Sequence, residues 1–268
     1  MEIRKQLLGL FLLKDELDYF HHSLSVEKNP FVKFRLIKQN LIVLNTFLES
    51  LNKFNSYINN NQVLKEKTRS IRKRGGLITH MRNKIGGHLD EDILIRGSQW
   101  TPFIFHKLSK ENRELQIGLS YKTILEASIN SYINLSDEEK QKEFGTEIDF
   151  SYPPDEILFF NYLGNLNSDS IEWIKTIIEI IEREFKYFDD EDVFFQSRIA
   201  GLTDFNLKNN FKFPEKEQLE DDELVILSEE AFKEEDKNKK IDLLNKLINK
   251  IEEKIKSSSN ISSGFKPQ

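Results

Sequence analysis

The sequence predicts a mainly helical bundle. Three observations carry this: apolar residues recur at steps of three and four over long stretches, only 11 Gly and 6 Pro interrupt 268 residues, and helix-start signals precede the apolar runs. A hydrophobic content of 38%, with 21 Phe, is enough for one sizeable core or for a core plus a smaller subdomain.

The first helix is expected over residues 2–23, where Ile3, Leu7, Leu10, Leu13 and Leu17 fall at helical spacing. Its apolar run from Leu7 to Leu13 stops at Lys14-Asp15-Glu16, short of the roughly 20 residues a bilayer requires. No small-residue cleavage site follows, so a signal peptide is disfavoured. Asn29-Pro30 opens the second helix, because Asn accepts orphan backbone N–H bonds and Pro suits the first helical position. Its stripe of Phe34, Ile37, Leu41, Leu44, Leu48, Leu51 and Ile58, with a skip at Asn55, suits a helix-pair or dimer seam. The Asn-rich run at 58–62 ends it. A third helix begins near Val63 and carries a basic run, KEKTRSIRKR, over 65–74.

Beyond Asp90 the pattern changes. Residues 102–108, PFIFHKL, and 115–121, LQIGLSY, are rich in aromatic and β-branched side chains, and the second alternates. A small β-hairpin insertion near 101–121 is expected, followed by a helix from Thr123 to Leu135. Two further helices are expected over 157–163 and 170–188, the latter capped by Ser170. The domain organisation expected is a helical domain over 1–188, then an acidic segment with a C-terminal helix over 189–256. Within that helix Ile241, Leu244, Ile248, Ile251 and Ile255 form a short seam, and 257–268 reads as a disordered tail.

Composition excludes several chemistries. With no Cys there are no disulfides, thiolate nucleophiles or thiolate-bound metals, which fits a reducing compartment; cytoplasm is the expected location. No phosphate-binding glycine loop, dinucleotide fingerprint, HExxH pair, EF-hand loop or GxSxG elbow is present. The formal charge of −6 argues against an indiscriminate nucleic-acid binder, but its distribution is uneven.

What remains is the stretch GGLITHMRNKIGGHLD, residues 75–90, with two of the five histidines and two Gly-Gly pairs. Within it, Arg82-Asn83-Lys84-Ile85-Gly86-Gly87-His88 resembles the Arg-x(4 to 6)-His motif of the HEPN superfamily, whose favoured form has Asn, Asp or His after the Arg. A second spacing match, Arg74 to His80, has Gly after the Arg. On an uninterrupted helix, a separation of six leaves two side chains roughly 120° apart. Gly86-Gly87, tolerant of left-handed dihedrals, are expected to end the helix near Ile85 and turn His88 back toward Arg82. The plainer reading has Gly-Gly as an ordinary helix terminus and Arg82 in a surface ion pair with Asp90 or Glu91.

The resemblance implies a helical, metal-independent endoribonuclease in a toxin or phage-defence setting that needs no cofactor. It implies Arg82, Asn83 and His88 as catalytic residues and a site shared by two protomers, hence a homodimer, with an antitoxin or defence-system protein as a further partner and no membrane. Imidazole titrates near neutral pH and suits proton transfer to and from ribose oxygens, while a guanidinium offsets charge on a phosphodiester. Lys65, Lys67, Arg69, Arg72, Lys73, Arg74 and Lys84 are the candidate RNA-backbone contacts, and His80 is a candidate accessory group. His21, His22 and His106 are read as structural. The alternative class is a non-catalytic helical scaffold that binds RNA or a protein.

Overall fold

A computed structural model of the chain describes residues 2–134 and 140–189, and beyond them 193, 197, 206, 230, 236, 239, 241–246 and 249. The chain divides into two compact units, Met1–Lys186 and Tyr187–Gln268. The first is a helical bundle of α1 (Glu2–Val26), α2 (Pro30–Ser50), α3 (Asn55–Asn59), α4 (Gln62–Met81), α5 (Glu91–Trp100), α6 (Lys107–Glu111), α7 (Arg113–Asn130) and α8 (Pro153–Glu184). In the second unit, residues 241–246 are helical, with Ile241 and Leu244 exposed. The acidic segment, apart from Glu230 and Asp236, and the tail lie outside the described residues. No described helix is long and apolar enough to cross a membrane.

The start signals work as their chemistry dictates. Asn29 Oδ1 accepts from the backbone N–H groups of Phe31 and Val32, and Asn61 Oδ1 accepts from that of Leu64, so each caps the helix that follows. At the skipped position Asn55, a 3-10 turn over Leu51–Phe54 separates α2 from α3. The α2 stripe is intramolecular: Phe34, Ile37, Leu41, Leu44 and Leu51 are buried in the common core, and α2 packs against α1, α4 and α7. This replaces the dimer-seam reading of that stripe.

The β-hairpin expected near 101–121 is not formed. Residues 102–105 make a 3-10 turn, 107–111 are α6, and 113–130 are α7. His106 Nδ1 accepts from Leu108 N–H to start α6, and Asn112 Oδ1 accepts from Leu115 N–H to start α7. The alternation at Leu115, Ile117, Leu119 and Tyr121 misleads because the buried position among them is Gly118. A Cβ there would fall 2.1 Å from Phe31 Cδ1, so the missing side chain is what lets Phe31 of α2 sit against α7. Among the described residues the only β pairing is an isolated antiparallel bridge between Ile133 and Gln141.

Two more boundaries move. The helix expected over 123–135 is the second half of α7, ending at Asn130, and the two helices expected after residue 156 are one, α8. Ser170, expected as a cap, lies buried inside α8 with its hydroxyl donating to Leu166 C=O. Such back-bonding lets a hydroxyl stay within a helix without ending it.

α8 fixes α4. Trp173 is fully buried, its Nε1–H donates to Thr68 Oγ1 at 2.7 Å, and its ring meets the edges of Phe47 and Phe54. Around this centre Lys67 pairs with Glu172, Arg74 with Asp169, and the Tyr162 hydroxyl donates to Arg74 C=O. Trp173→Ala is expected to cost about 3–5 kcal/mol in denaturant unfolding, the range of large core truncations. Lys67→Ala should cost only about 0–1 kcal/mol, since an ion pair near the surface is screened by water.

Candidate functional site

α4 ends in a π turn, Arg82–Gly86, anchored by three fully buried side chains, Ile78, Met81 and Ile85. Single π turns insert an extra residue into the helical register and recur at functional sites. Gly87 and His88 bend away from the helix, and α5 starts after Asp90. The left-handed glycine bend expected here is not used. Gly87 is right-handed at φ −89°, ψ −29°, and among the described glycines only Gly145 has positive φ.

A clasp returns the chain instead. Asp90 N–H donates to Lys84 C=O at 3.0 Å, and Lys84 Nζ holds Asp90 Oδ2 at 2.7 Å. Asp90 Oδ1 also accepts from Asp92 and Ile93 N–H as the cap of α5. One carboxylate therefore closes the loop that bears His88 and starts the next helix. The Lys84 hydrogen bond and these backbone bonds hold the Asp90 carboxyl below its ordinary range.

Arg82 stands at the start of the π turn, half-buried, with Nη1 donating to Asn83 Oδ1 at 3.2 Å. Its aliphatic stem crosses Gly86, where a Cβ would lie 3.0 Å from Arg82 Cγ. It makes no ion pair with a described carboxylate, and Asp90 is paired with Lys84. His88 is exposed, two residues past the turn, and makes no hydrogen bond to a described residue. Asn83 is exposed beside Arg82.

The second spacing match is engaged differently. Arg74 binds Asp169 Oδ2 at 2.5 Å. His80 is half-buried, with Nε2 2.9 Å from Ser131 Oγ and its ring 5.1 Å from that of Tyr132, which closes over Gly76. Burial, aided by the Lys84 charge, lowers the His80 pKa and so favours the uncharged imidazole.

The basic run divides likewise. Lys67, Arg74 and Lys84 are in ion pairs, and Arg72 donates to Asn52 Oδ1. Lys65, Arg69, Arg72 and Lys73 are exposed, at spacings that share one side of α4. Among the described residues no group of three His, Asp or Glu is placed to hold a metal ion. Sequence reasoning missed Asp90 as the clasp, although an Asp followed by two acidic residues and an apolar run is a helix-start signal. The Ser131 and Tyr132 contacts to His80 span some fifty residues and leave no local trace.

No family model, no curated protein and no solved structure matches the chain.

Replacing Asp90 by Asn keeps the cap and removes the charge. Because the carboxyl is held below its ordinary value of 3.8, its contribution to stability is present above that value and lost as pH falls through the folded pKa. The wild-type advantage in Tm over D90N should therefore be full at pH 7 and close as the pH is lowered toward 3; a constant gap would show that the clasp acts without its charge.

Proposed function

We propose that this chain is a metal-independent endoribonuclease of HEPN type, with Arg82 and His88 as the reacting pair and Asn83 orienting Arg82. The observation that carries the reading is the contrast between the two Arg-to-His spacings. Arg74 and His80 are committed to internal partners, whereas among the described residues Arg82 has no carboxylate partner and the exposed His88 has no hydrogen-bond partner. A cation that a protein leaves without a carboxylate partner is available to an anion, and Arg82 and His88 belong to the same turn-and-clasp segment of the chain.

The chemistry needs no group outside RNA and protein. His88 takes the proton of a ribose 2′-OH as that oxygen attacks the adjacent phosphorus. The P–O5′ bond breaks, the departing 5′-oxygen takes the proton that the imidazole accepted, and a 2′,3′-cyclic phosphate remains. The Arg82 guanidinium binds the non-bridging oxygens where charge grows. Lys65, Arg69, Arg72 and Lys73 track the backbone along α4, so binding weakens with salt. Under the same reading the chain is cytoplasmic, works as a homodimer, and serves as a toxin or defence effector with a protein antagonist or partner.

The test is cleavage of total RNA in EDTA by wild type, His88→Ala and Arg82→Ala. Wild type should release cyclic phosphate ends, and either substitution should lower the rate by about 10²–10⁴-fold. A folded wild type that cleaves none of several RNAs would replace this reading with the non-catalytic scaffold. Gly86→Ala offers a finer probe: the added methyl displaces the Arg82 stem by a few tenths of an ångström while favouring the helix. It should slow cleavage roughly tenfold without lowering Tm.

A further inference from the structure

α4 and the π turn both pack on α7, and one imidazole fills the contact. His80, in the last turn of α4, is half-buried, with Nε2 2.9 Å from Ser131 Oγ and its ring 5.1 Å from that of Tyr132. Ser131 Oγ–H donates to Ser128 C=O at 2.9 Å, so its lone pair accepts from His80 Nε2–H and Nδ1 is left to take a second proton. The Tyr132 hydroxyl closes on α4 at Gly76, where a Cβ would lie 2.5 Å from it. His80, Ser131 and Tyr132 thus join the end of α4 to the end of α7.

This pocket suits a neutral ring. Burial opposes a positive charge on His80, and so does the Lys84 ammonium one turn further on. The Tyr132 ring that His80 meets also carries the Lys142 ammonium, 5.1 Å from its centroid. Two groups favour the charge, the Ser128 carbonyl and the Asp90 carboxylate. The carboxylate is held by Lys84 Nζ at 2.7 Å, so it can serve His80 only by leaving the clasp. Histidine is the side chain whose ordinary titration falls between about pH 5 and 8, and mild acid is therefore enough to charge the ring.

We infer that His80 is an acid-operated latch: charging its imidazole drives the ring from between Ser131 and Tyr132 and frees the end of α4, with the Lys84–Asp90 clasp and the loop bearing His88, from the end of α7. The closed state holds the His80 pKa below its ordinary 6.5. Its stabilising contribution is therefore whole above that value and is lost as the pH falls through the folded pKa. Glu126 and Glu143 act the other way, because burial pushes both carboxyls up and acid strengthens their part of the closed state. As a control on RNA cleavage the latch rests on the nuclease reading; as a conformational change it does not.

The experiment is amide hydrogen exchange of the full chain at about pH 7.5 and about pH 5.5, each rate divided by that of an unstructured peptide at the same pH. Wild type is compared with His80→Gln and His80→Phe, neither of which can take the charge. One pH unit below the ordinary value an open ring is protonated about ten to one, so the opening equilibrium rises up to about tenfold. Wild-type peptides covering residues 76–90 are expected to lose about three- to tenfold in protection at the lower pH, while those covering 37–47 of α2 keep theirs. H80Q and H80F are expected to hold equal protection at both. Parallel losses in all three proteins overturn the inference, as does a wild type whose 76–90 protection does not change. Proton NMR of wild type alone gives a reading that survives a failure of either variant to fold. The imidazole with a nuclear Overhauser contact to the Tyr132 ring must titrate below 6.5, and a value at or above 6.5 overturns the latch. Exchange is read without RNA. A latch in a protein that cuts no RNA removes the nuclease reading alone, and unchanged protection in one that cuts RNA removes the latch alone.

Discussion

Everything the candidate site does depends on the seam between α4 and α8, and the seam depends on one buried indole. Burying the Trp173 ring supplies a large apolar contribution, but its N–H cannot be left without an acceptor in a dry core. Thr68 provides that acceptor from the middle of α4 and in turn donates to Leu64 C=O, so the polar chain closes inside the helix. With α4 held there and by Tyr162 at Arg74, the end of α4 that bears the π turn has a defined position against α2 and α7.

The same seam explains why the basic run is not uniformly a binding surface. A helix that packs on one side and faces water on the other sorts a cluster of like charges by phase. Lys67 and Arg74 fall toward α8 and find Glu172 and Asp169, while Lys65, Arg69 and Lys73 remain in solvent. Arg82, at the start of the π turn, makes no ion pair with a described carboxylate.

A second buried polar centre lies where α5, α7 and the segment before α8 meet. Glu126 of α7 is fully buried, and its carboxylate is met by Lys122 Nζ at 2.7 Å, Trp100 Nε1–H at 3.1 Å and Phe150 N–H at 2.6 Å. Burial pushes its pKa up, and the Lys122 contact works against that shift. Because its donors come from α5, α7 and the segment before α8, this carboxylate locks α5 onto α7.

The sequence by itself determined the helical class, the cap at Asn29 and the core stripe of α2. Each of these rests on residues within a few positions of one another, where propensity and hydrogen-bonding chemistry act locally. It also marked out Arg82, Asn83 and His88 as a motif worth weighing. Only the tertiary structure decided that residues 102–121 are helical, since Gly118 is buried by Phe31 from a distant helix and local alternation carries no record of that partner. Only it decided which arginine is neutralised, because Asp169 lies 95 residues from Arg74. It also showed that the bend before His88 comes from a π turn and the Lys84–Asp90 clasp rather than from glycine dihedrals. Those outcomes are set by which side chains meet across helices, and a linear pattern specifies faces without specifying what each face will touch.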